Sequence, residues 1–407
     1  MKNPMKIVII GGGASGLAAA VTAAMQSSEA EITVLEKKEK CASKIAATGN
    51  GRCNITNDDC SEKEAVFDFF KRLGIFVRCE RGGRFYPVSG KASDVRTALI
   101  RKAEGLGVRI VTDSPAEEIR RYDEGFQVVC RGGKIYEADR VLIAAGGKAA
   151  PVYGTTGDSY VMARKLGHSV TRLAPALTSL EISNWDSALK GIRTPARVSL
   201  SRKGKTIAEE TGEIIFTEKG ISGVCIFNLS SNVVLDENTS FADYRLKINF
   251  LAGGEGEPEE ETEKRVVEML GYLSVEKEKK HEKLLLADAL CTLTDERLTT
   301  MIAKQAGLED AEINSFDSDV VSDIIYVLEN FTLKICGAGG WDKAQCTRGG
   351  VVCDEVDENT CESKLVPGLY ITGEALDYDG PCGGFNLHHA WLTGIKAGRA
   401  MAEHAHF

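Results

Sequence analysis

Three glycines near the N-terminus, Gly11, Gly13 and Gly16, stand in a G-x-G-x-x-G spacing, and Glu36 lies 20 residues beyond the third (36 − 16 = 20). Each position has a physical task in such a unit. Gly11 permits a tight turn out of a strand. Gly13 lets backbone approach a pyrophosphate with no side chain in the way. Gly16 allows a helix to pack closely on a sheet. The N-terminus of the helix that follows presents unpaired N–H groups and a positive dipole end to an anion. The Glu36 carboxylate can accept hydrogen bonds from ribose hydroxyls. The chemistry is dinucleotide binding, and both NAD and FAD use this unit.

A second group of reactive side chains lies near the C-terminus. Cys382, between Pro381 and Gly383, is a candidate exposed thiol. His388 and His389 open a helix, and an imidazole suits proton transfer near neutral pH. Tyr378 is a candidate proton donor. Cys53 reads as a small packed residue in preference to a redox thiol, and His168 as a surface residue at a helix end. Arg81, Arg84 and Arg348 are candidates to clamp an acidic substrate or a nicotinamide-cofactor phosphate; each taken alone reads more readily as a solvated charge. The sequence has no zinc spacing, no P-loop and no G-x-S-x-G elbow, so no metal is expected.

The hydrophobic pattern indicates the strands and helices that hold these residues in place. Lys6 to Ile10 is a short apolar strand, Leu17 to Met25 an Ala-rich helix and Glu31 to Leu35 the next strand. Such a unit implies a parallel sheet with a right-handed crossover. Lys40 to Asn57 is a polar, Gly-rich loop. Strands are expected on both sides of Arg81-Gly82-Gly83-Arg84 and of Arg131-Gly132-Gly133, and Arg140 to Ala144 is an apolar strand. From about Asp186 the texture turns antiparallel, with strands expected at Arg197–Ser201, Thr206–Glu210, Glu213–Thr217 and Val224–Leu229. Thr211-Gly212 is expected as a turn. Gly253 to Lys264 is an acidic connector, Arg265 to Asn330 is helical in pattern, and Glu276 to Lys283 is an exposed mixed-charge face. Leu369 to Thr372 is again a strand, succeeded by a Gly-rich loop and a helix over Leu387–Ala402.

The 407 residues allow two or three domains. Fifty Lys+Arg against 59 Asp+Glu give −9, which argues against a chain-wide nucleic-acid scaffold. No run of 18 apolar residues is present, and the 12 cysteines form no C-x-x-C. The expectation is a cytoplasmic protein with reduced thiols, no membrane and no nucleic-acid partner, acting on a small molecule as a monomer or homodimer.

The residues beyond Glu36 favour flavin over nicotinamide. The stretch Lys44 to Asn54, containing Thr48, Gly51, Arg52 and Cys53, suits backbone wrapped along an extended cofactor. Ala144-Ala145-Gly146-Gly147 closes a later strand. The late return Gly373-Glu374-Ala375-Leu376-Asp377, then Gly383-Gly384-Phe385-Asn386-Leu387, enters a second helix whose N-terminus can face the negative charge of reduced flavin.

These stretches carry a resemblance. The opening GGGASG, TGNGRCNITN (Thr48 to Asn57), RFYPVSGKASDV (Arg84 to Val95), TRGGV (Thr347 to Val351) and GEALDYDGPCGGFNL (Gly373 to Leu387) resemble the bacterial FAD-dependent family that includes BaiN-type bile-acid reductases and aminoacetone-oxidase-like flavoproteins. The resemblance implies an α/β fold: a Rossmann-like FAD-binding domain split between residues 1–188 and 351–407. It also implies an inserted antiparallel, barrel-like β domain over 189–254, with 336–350 returning to it, and a helical domain over 255–335. It implies FAD along Gly11, Gly13, Ala14, Ser15, Gly16, Glu36, Lys37, Lys44, Thr48, Gly51, Arg52 and Cys53, with Gly146 at the later strand end and the adenine near Ala116. Gly373, Glu374, Asp377, Gly384, Asn386 and Leu387 would complete the contacts, Asp377 on a ribityl hydroxyl and the Asn386 and Leu387 amides at the flavin carbonyl edge. The chain departs from the family pattern at Cys382 and at His388-His389.

The expected function is an FAD-dependent oxidoreductase that moves hydride through flavin N5. Reduction of an activated C=C bond of an enone or steroid-like substrate, with NAD(P)H as transient donor, is favoured. The alternatives are an amine or alcohol oxidase using O₂, a flavin-binding partner module without turnover, and an NAD-only dehydrogenase.

Overall fold

The apolar runs that alternate with helices build a five-stranded parallel sheet. Its order is Leu369–Ile371, Arg140–Ile143, Lys6–Ile10, Glu31–Leu35 and Arg109–Val111. Strands buried on both faces read as continuous Val/Ile/Leu runs, and Ile7, Val8, Ile9 and Ile10 are all in the core. A computed structural model describes residues 4–122, 125–252, 258–278, 285–308, 310–312 and 318–403. It comprises two compact units, 1–176 with 341–407, and 177–340.

In the first unit both chain ends share one sheet, because Leu369–Ile371 pairs in parallel with Arg140–Ile143. The first helix, Ala14–Gln26, and the C-terminal helix, Phe385–Ala402, pack against each other through small residues. A Cβ on Gly394 would lie 2.4 Å from the Ser15 carbonyl oxygen, and one on Gly398 2.5 Å from that of Ala19. The contact exists only because these positions have no side chain. Beside the main sheet stand a meander of Ala116–Tyr122, Gly125–Cys130 and Ile135–Ala138, and a small sheet of Thr56–Asn57, Arg84–Pro87 and Val77–Glu80. The loop expected over 40–57 contains the short helix Ser43–Ala47 and a 3₁₀ turn at Thr48–Gly51.

The second unit contains a closed six-stranded barrel of Leu180–Ile182, Gly220–Ser222, Lys205–Phe216, Arg193–Arg202, Tyr244–Asn249 and Phe331–Ala338. Its own core includes Val198, Leu200, Ile214, Phe216, Leu246, Ile248 and Leu333. The helices Glu259–Glu278, Leu286–Leu290, Glu296–Gln305 and Ser318–Glu329 belong to the same unit.

Three sequence expectations change here. Thr211-Gly212 is no turn: Lys205–Phe216 is one strand, paired along Arg193–Arg202 with Gly212 opposite Ala196. Val224–Leu229 is helical, within Val224–Ser230, because Gly223 at φ 119° breaks the strand before it. Leu180–Ile182 joins the barrel, while Cys346–Arg348 pairs with Ala174–Ala176 in the first unit. His168 is buried, not superficial; it is bonded to Glu355 (3.0 Å) and to the Ser363 hydroxyl (2.8 Å). Residues 253–257 of the acidic connector and 279–283 of the mixed-charge stretch lie outside the described residues.

Candidate functional site

The first strand ends in Gly11, whose φ of +111° and whose position against Ala144 leave no room for a Cβ, which would sit 2.4 Å from the Ala144 carbonyl oxygen. Gly16 packs against Gly11 so closely that a Cβ would overlap its carbonyl oxygen, 1.9 Å away. Gly13 is different. Its φ is an ordinary −87°, and a Cβ built there meets nothing within 4 Å. The open space lies directly before the first helix, which has no side-chain cap and no acidic residue in its first turn. The first-turn amides of an α-helix have no intrahelical acceptor, so this turn is a cradle for an anion.

The acid at the end of the second strand closes the cradle. Glu36 accepts hydrogen bonds from the Gly12 amide (3.0 Å) and the Lys38 amide (2.9 Å). Burial raises its pKa, opposed by those amides and by Lys37. The Ser114 amide donates to the Glu36 carbonyl at 2.9 Å, so the segment entering Ala116 reaches the same edge. Lys37 is held by Thr156 (2.7 Å) and Asp158 (2.6 Å).

Both chain ends meet at Lys44 and Glu374, paired at 2.7 Å although 330 residues apart in sequence. The Thr347 amide and hydroxyl donate to the other Glu374 oxygen at 2.9 and 3.0 Å, and the Tyr160 hydroxyl donates to the Glu374 carbonyl at 2.9 Å. Gly147 faces the same group, since its Cβ would lie 2.4 Å from the Thr347 hydroxyl. Gly373, at φ +65°, sits over Ser15, 2.7 Å from a Cβ position to the Ser15 hydroxyl. Gly146, at φ +75°, is against Thr155.

The loop Thr48–Cys53 runs in left-handed conformations at Gly49, Asn50, Gly51 and Cys53. Thr48 donates to the Ile45 carbonyl at 2.7 Å. Gly51 has open space around it. Arg52 is paired with Glu80 at 2.6 Å and lies over the Tyr86 ring, 4.2 Å from its centre. Cys53 is fully buried and its thiol is pushed up to about 12 by burial, so it is a packed thiol and no nucleophile.

The second glycine turn docks on this loop. A Cβ on Gly384 would lie 2.7 Å from the Thr56 carbonyl oxygen, and the Asn57 side chain donates to the Gly383 carbonyl at 2.9 Å. Asn386 braces the turn by accepting from the Gly380 amide (3.0 Å) and donating to the Gly380 carbonyl (2.8 Å). Gly380 thereby leaves room for the Tyr378 hydroxyl, 2.7 Å from its Cβ position. Tyr378 stacks on His389 at 4.1 Å. Burial, then Cys60 and Asp379, hold the Tyr378 phenol above its usual pKa. Asp377 is fixed by its amide bonding to the Val351 carbonyl at 2.9 Å, and Leu387 lies in the first turn of the C-terminal helix.

Of the three candidate reactive groups, His388 is turned onto the Thr56 hydroxyl (2.8 Å) and buried. Cys382 donates to the side-chain amide oxygen of Gln345 at 3.8 Å. Tyr378 is partly exposed, stacked on His389 and set against Gly380, and Cys382 is partly exposed within the turn that Asn386 closes. Sequence reasoning assigned no role to Thr347 or Tyr160. Thr347 had a signal, as part of the TRGGV stretch; Tyr160 had none.

A split parallel sheet, an open-sided glycine turn on one helix and a second glycine turn on another define a Rossmann-type flavoenzyme. The residues present fit FAD: a side chain at Gly13 or Gly51 would stand in open space, and two helix N-termini without side-chain caps leave amides available to an anionic group. A model of the HI0933-like protein Rossmann domain matches residues 5–400, and the chain belongs to that family and is an FAD-dependent oxidoreductase. Over 420 residues the chain is 34% identical to a 3-dehydro-bile acid delta(4,6)-reductase of Clostridium scindens, with 98% of this chain and 99% of that protein covered. It is 25% identical over 426 residues to a ribosomal RNA dihydrouridine synthase of Haemophilus influenzae, covering 97% and 98%. In fold it is similar to a 3-ketosteroid delta1-dehydrogenase from Sterolibacterium denitrificans (TM-score 0.51, 12% identity, 98% and 100% covered). A flavocytochrome c3 fumarate reductase is similar to the same degree (TM-score 0.51, 14% identity, 98% and 78% covered). No helix among the described residues is long and apolar enough to cross a membrane.

Proposed function

We propose that the chain is an NAD(P)H-dependent reductase of a C=C bond conjugated to a carbonyl, acting on a small organic molecule. The observation that carries this reading is Tyr378, a partly exposed phenol whose ring stacks on His389 at 4.1 Å and whose hydroxyl lies against Gly380 of the second glycine turn. Saturating such a bond requires a hydride at the β-carbon and a proton at the α-carbon. Bound FAD supplies the hydride chemistry, with NAD(P)H as its reductant, and the chain carries one dinucleotide fingerprint, so NAD(P)H docks transiently. The Tyr378 O–H delivers the proton and is refilled from solvent. Lys44, Glu374, Glu36 and the two glycine turns bind and orient the cofactor.

The relatives support this choice of bond. A 3-dehydro bile acid with a Δ4 double bond is an enone, and the double bond lost in forming dihydrouridine is also conjugated to a carbonyl. A net charge of −9 favours a small molecule over an RNA polyanion.

The test is anaerobic. FAD-loaded protein is mixed with NADH or NADPH, and flavin absorbance is monitored; a 3-oxo-Δ4 steroid acid is then added. Bleaching by one nicotinamide and recovery with the enone are expected. No bleaching by either ends the reductase reading, and peroxide formed on adding an amine or alcohol selects the oxidase instead.

A further inference from the structure

The Val77–Glu80 and Arg84–Pro87 hairpin carries Arg78, Arg81 and Arg84, with Arg52 beside it, and Arg84 is treated differently from Arg52 and Arg78. Arg52 and Arg78 share Glu80, at 2.6 and 3.0 Å. Arg84 is only partly exposed and has no carboxylate, carbonyl or ring partner among the described residues. Its Nε lies 3.6 Å from the Cβ position of Gly383, against the turn that bears Tyr378 and Cys382. Asn57 fixes the backbone on both sides of it, donating to the Gly82 carbonyl at 3.2 Å and the Gly383 carbonyl at 2.9 Å. Next to Tyr378, Asp379 accepts from the Nε of Arg348, which ends the strand Cys346–Arg348, at 3.2 Å. The side chains of that pair are 24% and 22% exposed, and the terminal nitrogens of Arg348 have no partner among the described residues.

A guanidinium taken partly out of water without a counter-ion is costly. Its planar fork matches a carboxylate in a way that a lysine does not. We propose that Arg84, with the terminal fork of Arg348 as second donor, anchors a carboxylate carried by the substrate, so that the enzyme is selective for acidic enones. This rests on the enone-reductase reading for its choice of substrate, and on Arg84 and Arg348 alone for the carboxylate.

The experiment is titration calorimetry of the FAD-loaded full chain with a 3-oxo-Δ4 steroid carboxylic acid and with its methyl ester. The acid is expected to bind roughly 10–100-fold more tightly, as charge-assisted hydrogen bonds allow. Arg84→Gln should remove that difference while leaving ester binding, flavin content and unfolding temperature unchanged. Arg84→Lys should restore it in part, and Arg348→Gln should reduce it less than Arg84→Gln does. Equal binding of acid and ester by the unaltered protein overturns the proposal, as does binding of neither. So does an Arg84→Gln variant that weakens both alike, or an unaltered protein that binds uridine monophosphate but not the acid. Should the variant fold poorly, the acid-to-ester ratio of the unaltered protein still decides. An acid preference without any saturation of its double bond leaves the anchor standing and sinks the enone reading alone.

Discussion

Burial sorts the site's titratable side chains into different duties. Tyr378 and Cys53 are both pushed upward, but Tyr378 is partly exposed and stacked on His389, whereas Cys53 is sealed. Tyr378→Phe should lower kcat with an acidic enone by roughly 10²–10⁴-fold, as removal of a general acid does. Stopped-flow enone reduction checks it, with flavin reduction by NAD(P)H unchanged. Iodoacetamide should label exposed Cys79 and Cys353 and spare Cys53, as read by mass spectrometry of the folded protein. His389 is pushed down to about 4 by burial and then by His388. Its folded pKa lies below the unfolded value of 6.5, so the unfolded chain binds the extra proton. The stability it contributes is therefore complete above about pH 6.5 and declines as pH falls toward 4. His389→Phe keeps the ring on Tyr378 and should flatten that decline by on the order of 2 kcal/mol, measured by urea unfolding at neutral and mildly acidic pH.

Among the elements, the glycines of the first helix and of the C-terminal helix divide by what surrounds them. Gly16 and Gly394 are packed against backbone, at 1.9 and 2.4 Å from a Cβ position; alanine at Gly16 pushes the first helix off the strand end at Gly11, and alanine at Gly394 forces the two helices apart. A loss of about 1–3 kcal/mol or more is expected, seen as a lower unfolding temperature. Gly13 has an ordinary φ and open space. Gly13→Val should fold with near-normal stability and yet lose FAD, read as a colourless protein with an unchanged unfolding curve. A Gly13→Val protein that stays yellow would show that the cofactor lies elsewhere.

For the molecule entire, one sheet and one ion pair join the two chain ends. Lys44 and Glu374 are each about one-fifth to one-quarter exposed, and Thr347 and Ala149 complete their shell. Removing one partner leaves a partly buried charge, so Lys44→Met should cost more stability and more flavin affinity than Lys44→Met with Glu374→Gln. A double-mutant cycle on unfolding and on FAD retention measures the coupling.

Local chemistry is what the sequence made legible. The close packing of Gly11 and Gly16 was legible because a strand end, a turn and a helix start are set within a few residues of each other. The split of the first domain was also legible, from a Gly-rich return near Gly373 that a compact nucleotide fold has no use for. Tertiary structure settled the rest, for reasons of distance. Nothing near Thr211-Gly212 tells that a partner strand will carry the chain straight through them, and nothing near Val224 reveals the positive φ of Gly223. His168 reads as superficial until Glu355 and Ser363 close over it from 187 and 195 residues away. Whether Arg84 has a counter-ion depends on which carboxylates the fold brings near, and Glu80 is committed to Arg52 and Arg78. Residue types state what a side chain can do; only long-range contacts fix the burial and partners that select which of those things it does.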